Sequence, residues 1–269
     1  MNEGFVRGTV AVSVAGAGPP LWLFHSLLAD RDSFAAVRGP LADRFTVHMP
    51  ELPGFGASTA VQGGLAAVAD RMAVAVRDRG GEAPLVLGNG YGGFVALQMA
   101  IRHPGLVRGL VLADCGACFS EPGRQAFRAM AAGVAAGGAA KIADVAMRRL
   151  FAPDFQETHP QLMAERRAAF LRTDPAVLMA ACNALAELDL RAEVGKVEVP
   201  ALVLVGEQDE ATPPAMSREL ASLLPDARLV VLQGCAHVPQ LQDPERFLAA
   251  FETFATETLS TVSGIRPRP

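Results

Sequence analysis

The stretch Pro84-Leu-Val-Leu-Gly-Asn-Gly-Tyr-Gly-Gly-Phe-Val-Ala-Leu-Gln-Met-Ala-Ile-Arg102 decides how this chain is read. Leu85, Val86 and Leu87 form a short apolar run of the kind that fills a strand buried on both faces. Glycines follow at 88, 90, 92 and 93. Phe94, Leu97 and Ile101 then recur at helical spacing. His103-Pro104 closes the pattern, because proline disfavours the helical conformation of the residue before it. The stretch predicts strand, glycine turn and helix, with the backbone bent hard where something small lies close to it.

Two patterns compete for the turn. Gly88, Gly90 and Gly93 fit the dinucleotide fingerprint G-x-G-x-x-G, with Asp114 at the end of the next strand as its acidic residue. Gly88, Asn89, Tyr91 and Gly92 fit the nucleophile elbow G-x-S-x-G, in which a serine occupies a strained strand-to-helix turn. The middle position departs from the elbow, since residue 90 is glycine.

The surrounding chain favours the elbow. A dinucleotide fold carries its fingerprint after the first strand, whereas several strands are expected before residue 85. Phe24-His-Ser-Leu27 resembles the oxyanion loop of the α/β-hydrolase family, and Pro50-Glu-Leu-Pro-Gly-Phe-Gly-Ala-Ser58 resembles its next loop. Gly206-Glu-Gln-Asp209-Glu-Ala-Thr-Pro-Pro214 resembles the acid loop of that family. Gly234-Cys-Ala-His237-Val-Pro-Gln-Leu-Gln-Asp-Pro-Glu-Arg-Phe247 resembles its histidine loop. With the elbow, these motifs stand in family order across residues 5 to 255. The resemblance implies an α/β fold: a mostly parallel, eight-stranded twisted sheet with helices on both faces and an inserted α-helical cap. Enol-lactone hydrolases and hydrolases of ring-cleavage products are the members that the short His25-Ser26-Leu27 and Gly88-Asn89 segments resemble.

Composition sets the bounds. The chain has 269 residues, 51% of them hydrophobic, enough for one large core between layers of helices. Strand–helix alternation stops after Cys118 and resumes near Val199. Helices are expected there at 126–136, 140–151, 159–172 and 175–188. The expected organisation is therefore a core of 1–117 and 196–258, a helical cap of 118–195 and a flexible tail of 259–269. A formal net charge of −4 and the absence of a basic block argue against nucleic acid. No apolar run approaches the roughly 18 residues of a membrane span. Met1-Asn-Glu-Gly-Phe5 lacks the regions of a signal peptide, so a cytoplasmic protein is expected. Cys115, Cys118, Cys182 and Cys235 make no disulfide framework, and the C-x-x-C lacks the second pair of a zinc site.

The resemblance assigns roles by position. His237 is the general base and Asp209 the carboxylate that orients it, with Glu207 and Glu210 as nearby rivals. The backbone N–H groups of Leu27 and Tyr91 are the oxyanion donors. His25, Ser26 and Asn89 are candidates for substrate contact. Many members carry His-Gly where this chain has His25-Ser26, so the Ser26 hydroxyl either adds a donor to the site or caps the turn. No metal or organic cofactor is implied, and the expected partner is a small apolar or aromatic substrate.

Gly90 removes the hydroxyl on which an acyl-enzyme route depends. Three accounts stand at this stage. A water in the space left by the side chain is activated by His237 and Asp209 to attack an ester, lactone or activated C–C ketone. Alternatively, His237 takes a proton from the substrate itself, as a lyase, isomerase or decarboxylase would. The third account is a pocket that only binds, or an engineered substitution that disarms a serine enzyme. Glycine also relaxes a backbone conformation that costs other residues about 1–3 kcal/mol.

Overall fold

Short apolar runs buried on both faces build the centre of one sheet. The computed structural model describes residues 2–7 and 9–260. Its strands are β1 (Asn2–Val6), β2 (Val10–Ala15), β3 (Pro20–Phe24), β4 (Thr46–Pro50), β5 (Leu85–Asn89), β6 (Gly109–Ala113), β7 (Ala201–Gly206) and β8 (Ala227–Leu232). They form an eight-stranded sheet in the order β1-β2-β4-β3-β5-β6-β7-β8. β2 runs antiparallel to β1 and β4, and the remaining neighbours are parallel. This is the mostly parallel sheet that the motif order implies.

The helices are α1 (Ala35–Ala42), α2 (Gly64–Arg79), α3 (Tyr91–Arg102), α4 (Glu121–Gly137), α5 (Ala143–Arg148), α6 (Pro153–Thr158), α7 (Pro160–Leu171), α8 (Pro175–Glu187), α9 (Pro214–Leu223), α10 (Pro239–Gln242) and α11 (Pro244–Ser260). Leu85 and Leu87 face a core shared with α1 and α11, through Leu41, Phe247 and Phe251. Val86 faces the opposite core with Met72 of α2 and Phe94 and Leu97 of α3. Both faces of β5 are thus covered, which is why its sequence does not alternate. Among the described residues no helix is long and apolar enough to cross a membrane.

Helices α4 to α8 follow one another between β6 and β7, where the alternation of the sequence breaks. Their ends differ from expectation for local reasons. α4 begins at Glu121, not 126, because Ser120 caps it and Pro122 falls in the first turn, where proline is tolerated. The helix expected over 140–151 divides into a 3₁₀ turn, Ala139–Lys141, and α5. Pro160 cannot extend the preceding turn and opens α7 instead. α11 runs to Ser260, into the tail expected from 259; residues 261–269 lie outside the described residues. A bridge between Cys118 and Asp189, with Leu190 N donating to Ala117 O at 2.8 Å, brings the two ends of this helical segment together.

Candidate active site

Loops at the carboxyl ends of β3, β5, β7 and β8 converge on residue 90, the place where open parallel sheets receive ligands. Gly90 has φ 52° and ψ −118° and joins β5 to α3, so the sharp turn of an elbow persists without its hydroxyl. Gly92 answers a different need. A Cβ there would run into the Phe24 carbonyl of β3, so only glycine lets α3 lie this close to the sheet.

His237 and Asp209 come from the loops beyond β8 and β7 and meet directly. The His237 Nδ1–H donates to Asp209 Oδ2 at 2.9 Å, and both side chains are buried. Asp209 also accepts from Ala211 N at 2.8 Å, Thr212 N at 3.0 Å and Thr212 Oγ1 at 2.6 Å. Burial alone would raise its carboxyl; the neighbouring imidazole and these donors outweigh burial and hold it below the usual range. With Nδ1–H committed to an anion, the bare nitrogen of the ring is Nε2, turned toward Gly90. Glu207 instead accepts from Gly234 N at 3.1 Å, and Glu210 is exposed.

A second buried carboxyl stands beside this pair. Asp114, itself at φ 51°, accepts from Gly206 N at 2.9 Å and Asn89 Nδ2 at 3.2 Å. Burial and the charge of Asp209 push its pKa well above the ordinary value. Asp114, Asp209 and His237 are also the one set of three metal-capable groups among the described residues, with ligand atoms within 4.8 Å. His237 Nδ1 and the carboxylate oxygens are engaged by one another, by the side chains of Thr212 and Asn89 and by backbone N–H groups.

Two expected substrate contacts lie elsewhere. His25 is fully buried, its Nδ1–H donating to Ser26 O at 2.9 Å while Leu52 N donates to its Nε2 at 3.1 Å. It ties the β3 loop to the Pro50–Ser58 loop, and burial lowers its pKa. Asn89 donates from Nδ2 to His237 O at 2.9 Å and accepts from Gln240 Nε2 at 3.2 Å, bracing the histidine loop from beneath. Neither residue lines the pocket.

Ser26 does line it, and its hydroxyl fills the space expected for water. Ser26 Oγ lies 3.3 Å from His237 Nε2. A Cβ placed on Gly90 would be 2.5 Å from that oxygen and 2.7 Å from Nε2. Leu27, Phe94, Phe119, Phe127, Met130 and Leu185 supply most of the remaining wall around a cavity of about 40 Å³, with Arg149 as a cation. Within the helical segment Met130 reaches this wall, whereas Met147, Phe151 and Phe170 are buried in the core. Tyr91 opens α3, so its N–H has no intrahelical acceptor and points out of a helix N-terminus.

Thr212, Asp114, Gln240 and Arg149 were not legible as site residues. Thr212 and Gln240 lie inside the acid and histidine loops, but their partners stand up to 151 positions away and the loops give no sign of them. All four cysteines are free and buried, and burial pushes Cys182 up to about 12 and Cys235 to about 11, far from reactive thiolates.

Known proteins share this fold. The sequence profile of the alpha/beta hydrolase fold matches residues 19–244. The pimeloyl-(acyl-carrier protein) methyl ester esterase of Chromobacterium violaceum is 34% identical over 252 residues, which is 89% of this chain and 95% of that protein. The Aeromonas hydrophila protein of the same name is 29% identical over 266 residues, 91% and 99% of the two chains. A thermophilic esterase from Thermogutta terrifontis superposes with a TM-score of 0.85 at 30% identity, covering 93% of each chain. The enol-lactonase from Burkholderia xenovorans gives 0.85 at 26% identity, covering 96% of this chain and 100% of the other. Motif order, sheet order and these likenesses coincide, and the chain belongs to the α/β-hydrolase fold family.

Proposed function

We propose that this protein is a cofactor-free hydrolase of a small activated ester or lactone. The observation that carries the reading is the aim of His237: its Nε2 faces the space above Gly90, with the Asp209 carboxylate bonded behind it. In the reaction, the attacking oxygen gives its proton to Nε2, and Asp209 stabilises the imidazolium. The N–H groups of Leu27 and Tyr91 receive the oxyanion as the carbonyl carbon becomes tetrahedral. Whichever oxygen attacks first, a water activated by Nε2 is what releases the acid product. General-base help is worth about 10²–10⁴ and each oxyanion donor roughly 10²–10³, which suits esters and lactones and falls short for amides.

The apolar wall favours an apolar or aromatic substrate. The relatives named as methyl ester esterases, and the neighbour named as an enol-lactonase, support the same bond class. Four free buried cysteines accord with a reducing cytoplasm. The test is turnover of a panel of methyl esters, aryl esters and lactones in H₂¹⁸O. One solvent oxygen is expected in the acid product, and His237→Ala should lower turnover by about 10²-fold or more. Product without ¹⁸O would replace hydrolysis by proton abstraction from the substrate, and an unaffected His237→Ala would remove His237 from the reaction.

A further inference from the structure

We infer that the Ser26 hydroxyl is the nucleophile of this site, acting from the β3 loop in place of the elbow serine that the family resemblance would put at residue 90. The inference deepens the hydrolase reading and rests on it. Ser26 Oγ lies 2.5 Å from the point a Cβ of residue 90 would occupy, so it stands in the space reserved for the elbow side chain.

His237 Nε2 is 3.3 Å from this oxygen, and the same ring is bonded through Nδ1 to Asp209. Serine, histidine and aspartate thus form a continuous chain across three loops. Ser26 is 1% exposed, and among the described residues Nε2 is the partner of its hydroxyl. A turn-capping bond from Oγ, the bland alternative in the sequence, is not made there. The 3.3 Å spacing is at the long end, as is common before substrate tightens such contacts.

Many family members pair His-Gly in the β3 loop with serine at the elbow; here His25-Ser26 pairs with Gly90. A side chain at both positions would crowd, since the two Cβ atoms would be 3.1 Å apart. Gly90 therefore makes the room that Ser26 uses, a reason for glycine beyond relief of backbone strain. A water attacking from Nε2 would first have to displace this hydroxyl.

The chemistry balances with water alone. Ser26 Oγ bonds to the carbonyl carbon as its proton passes to Nε2. Collapse of the oxyanion breaks the bond to the leaving oxygen, which takes that proton and departs as an alcohol. Water then gives a proton to Nε2 and attacks the acyl-Ser26 ester, and the proton returns to Oγ as the acid leaves.

Labelling of the full chain with a fluorophosphonate, followed by peptide mass mapping, tests the assignment. Phosphonylation of wild type at Ser26 is expected, together with a burst of product from an aryl ester. Ser26→Ala, checked for folding by its thermal midpoint, should lose the label and about 10³-fold or more in kcat. The exchanged pair Ser26→Gly/Gly90→Ser should move the label to position 90 and recover turnover above Ser26→Ala. Ester turnover by wild type with no label on Ser26, or a folded Ser26→Ala that keeps its kcat, overturns the inference and leaves the hydrolase reading standing. Wild type that neither turns over the panel nor takes the label removes both.

Discussion

Asp114 and Asp209 are neighbouring buried carboxyls pushed in opposite directions, and their environments account for it. Asp209 is an anion because an imidazole, two backbone N–H groups and a hydroxyl all point at it. Asp114 is pushed toward its protonated form because it is buried beside that anion. Asp209→Asn is expected to cost about 10⁴ in kcat, since the amide favours the wrong histidine tautomer. Asp114→Asn copies a protonated acid and should leave kcat near wild type, but it should change how stability depends on pH. Above about pH 4 the unfolded chain releases the Asp114 proton while the folded chain keeps it. The folded state then binds more protons, so this group's contribution falls as pH rises toward its raised folded value. Asp209 works the other way: its stabilisation is present above the usual carboxylate range and is lost as pH falls through its lowered value. Urea midpoints at pH 5 and pH 8 should therefore drop more for wild type than for Asp114→Asn. An equal drop would mean that Asp114 ionises within the fold. Of these residues, Asp209 and His237 were legible through the resemblance of their loops to the acid and histidine loops of the family. Asp114 was visible only as the acid of a dinucleotide fingerprint that the fold does not use. The Ser26–His237 contact spans 211 positions, and side-chain direction across such a gap leaves no local trace.

Elements of the sheet were legible because their burial is two-sided and their apolar runs are short. The helical segment was legible as an interruption of that pattern, but not in how it is held. Arg124 on α4 supplies the clearest example. Its guanidinium donates to Phe119 O at 3.1 Å, Ala186 O at 2.8 Å and Leu188 O at 2.9 Å. The carbonyls at the end of α8 lack intrahelical partners, so one planar fork closes that terminus and locks α4 against it. In the sequence Arg124 is one basic residue among several, because what it binds is backbone over sixty positions away. Arg124→Lys keeps the charge and loses the fork. Faster amide hydrogen exchange is expected in the last turn of α8 and the first turns of α4, with β5 and β6 unchanged. Uniform acceleration across the sheet would instead mean that the segment and the core open together. Phe119, Phe127 and Leu185 border the site from these same elements, so KM should rise more than kcat falls.

The whole molecule is closed over its site. A cavity of about 40 Å³ has room for little more than water, whereas small-molecule pockets run from about 300 Å³ upward. Bulky esters need more room than this cavity offers, and movement of the helical segment away from the sheet would supply it. The ties that resist such movement join α7 to the loop that carries Ser26. Asp30 accepts from Arg166 Nη1 at 2.8 Å and from Arg172 Nη2 at 3.1 Å, one at α7 and one just beyond it. Arg166 is nearly buried and Arg172 mostly exposed, so the first pair is the stronger and the second is screened by solvent. Replacing the arginines leaves Asp30 free to keep its bond from Asp32 N at the start of the following turn. Arg166→Gln/Arg172→Gln should thus loosen α7 without disturbing the loop conformation at Ser26. Opening limits a bulky substrate more than a small one, so the double variant should raise kcat/KM for a naphthyl ester relative to a methyl ester. Added salt should produce a weaker shift of the same sign in wild type, through the exposed pair. A ratio unchanged by both would place the opening elsewhere, at the Gln242 side chain that accepts from Ala152 N at 3.2 Å and Ala236 N at 3.1 Å and so joins the segment to the histidine loop.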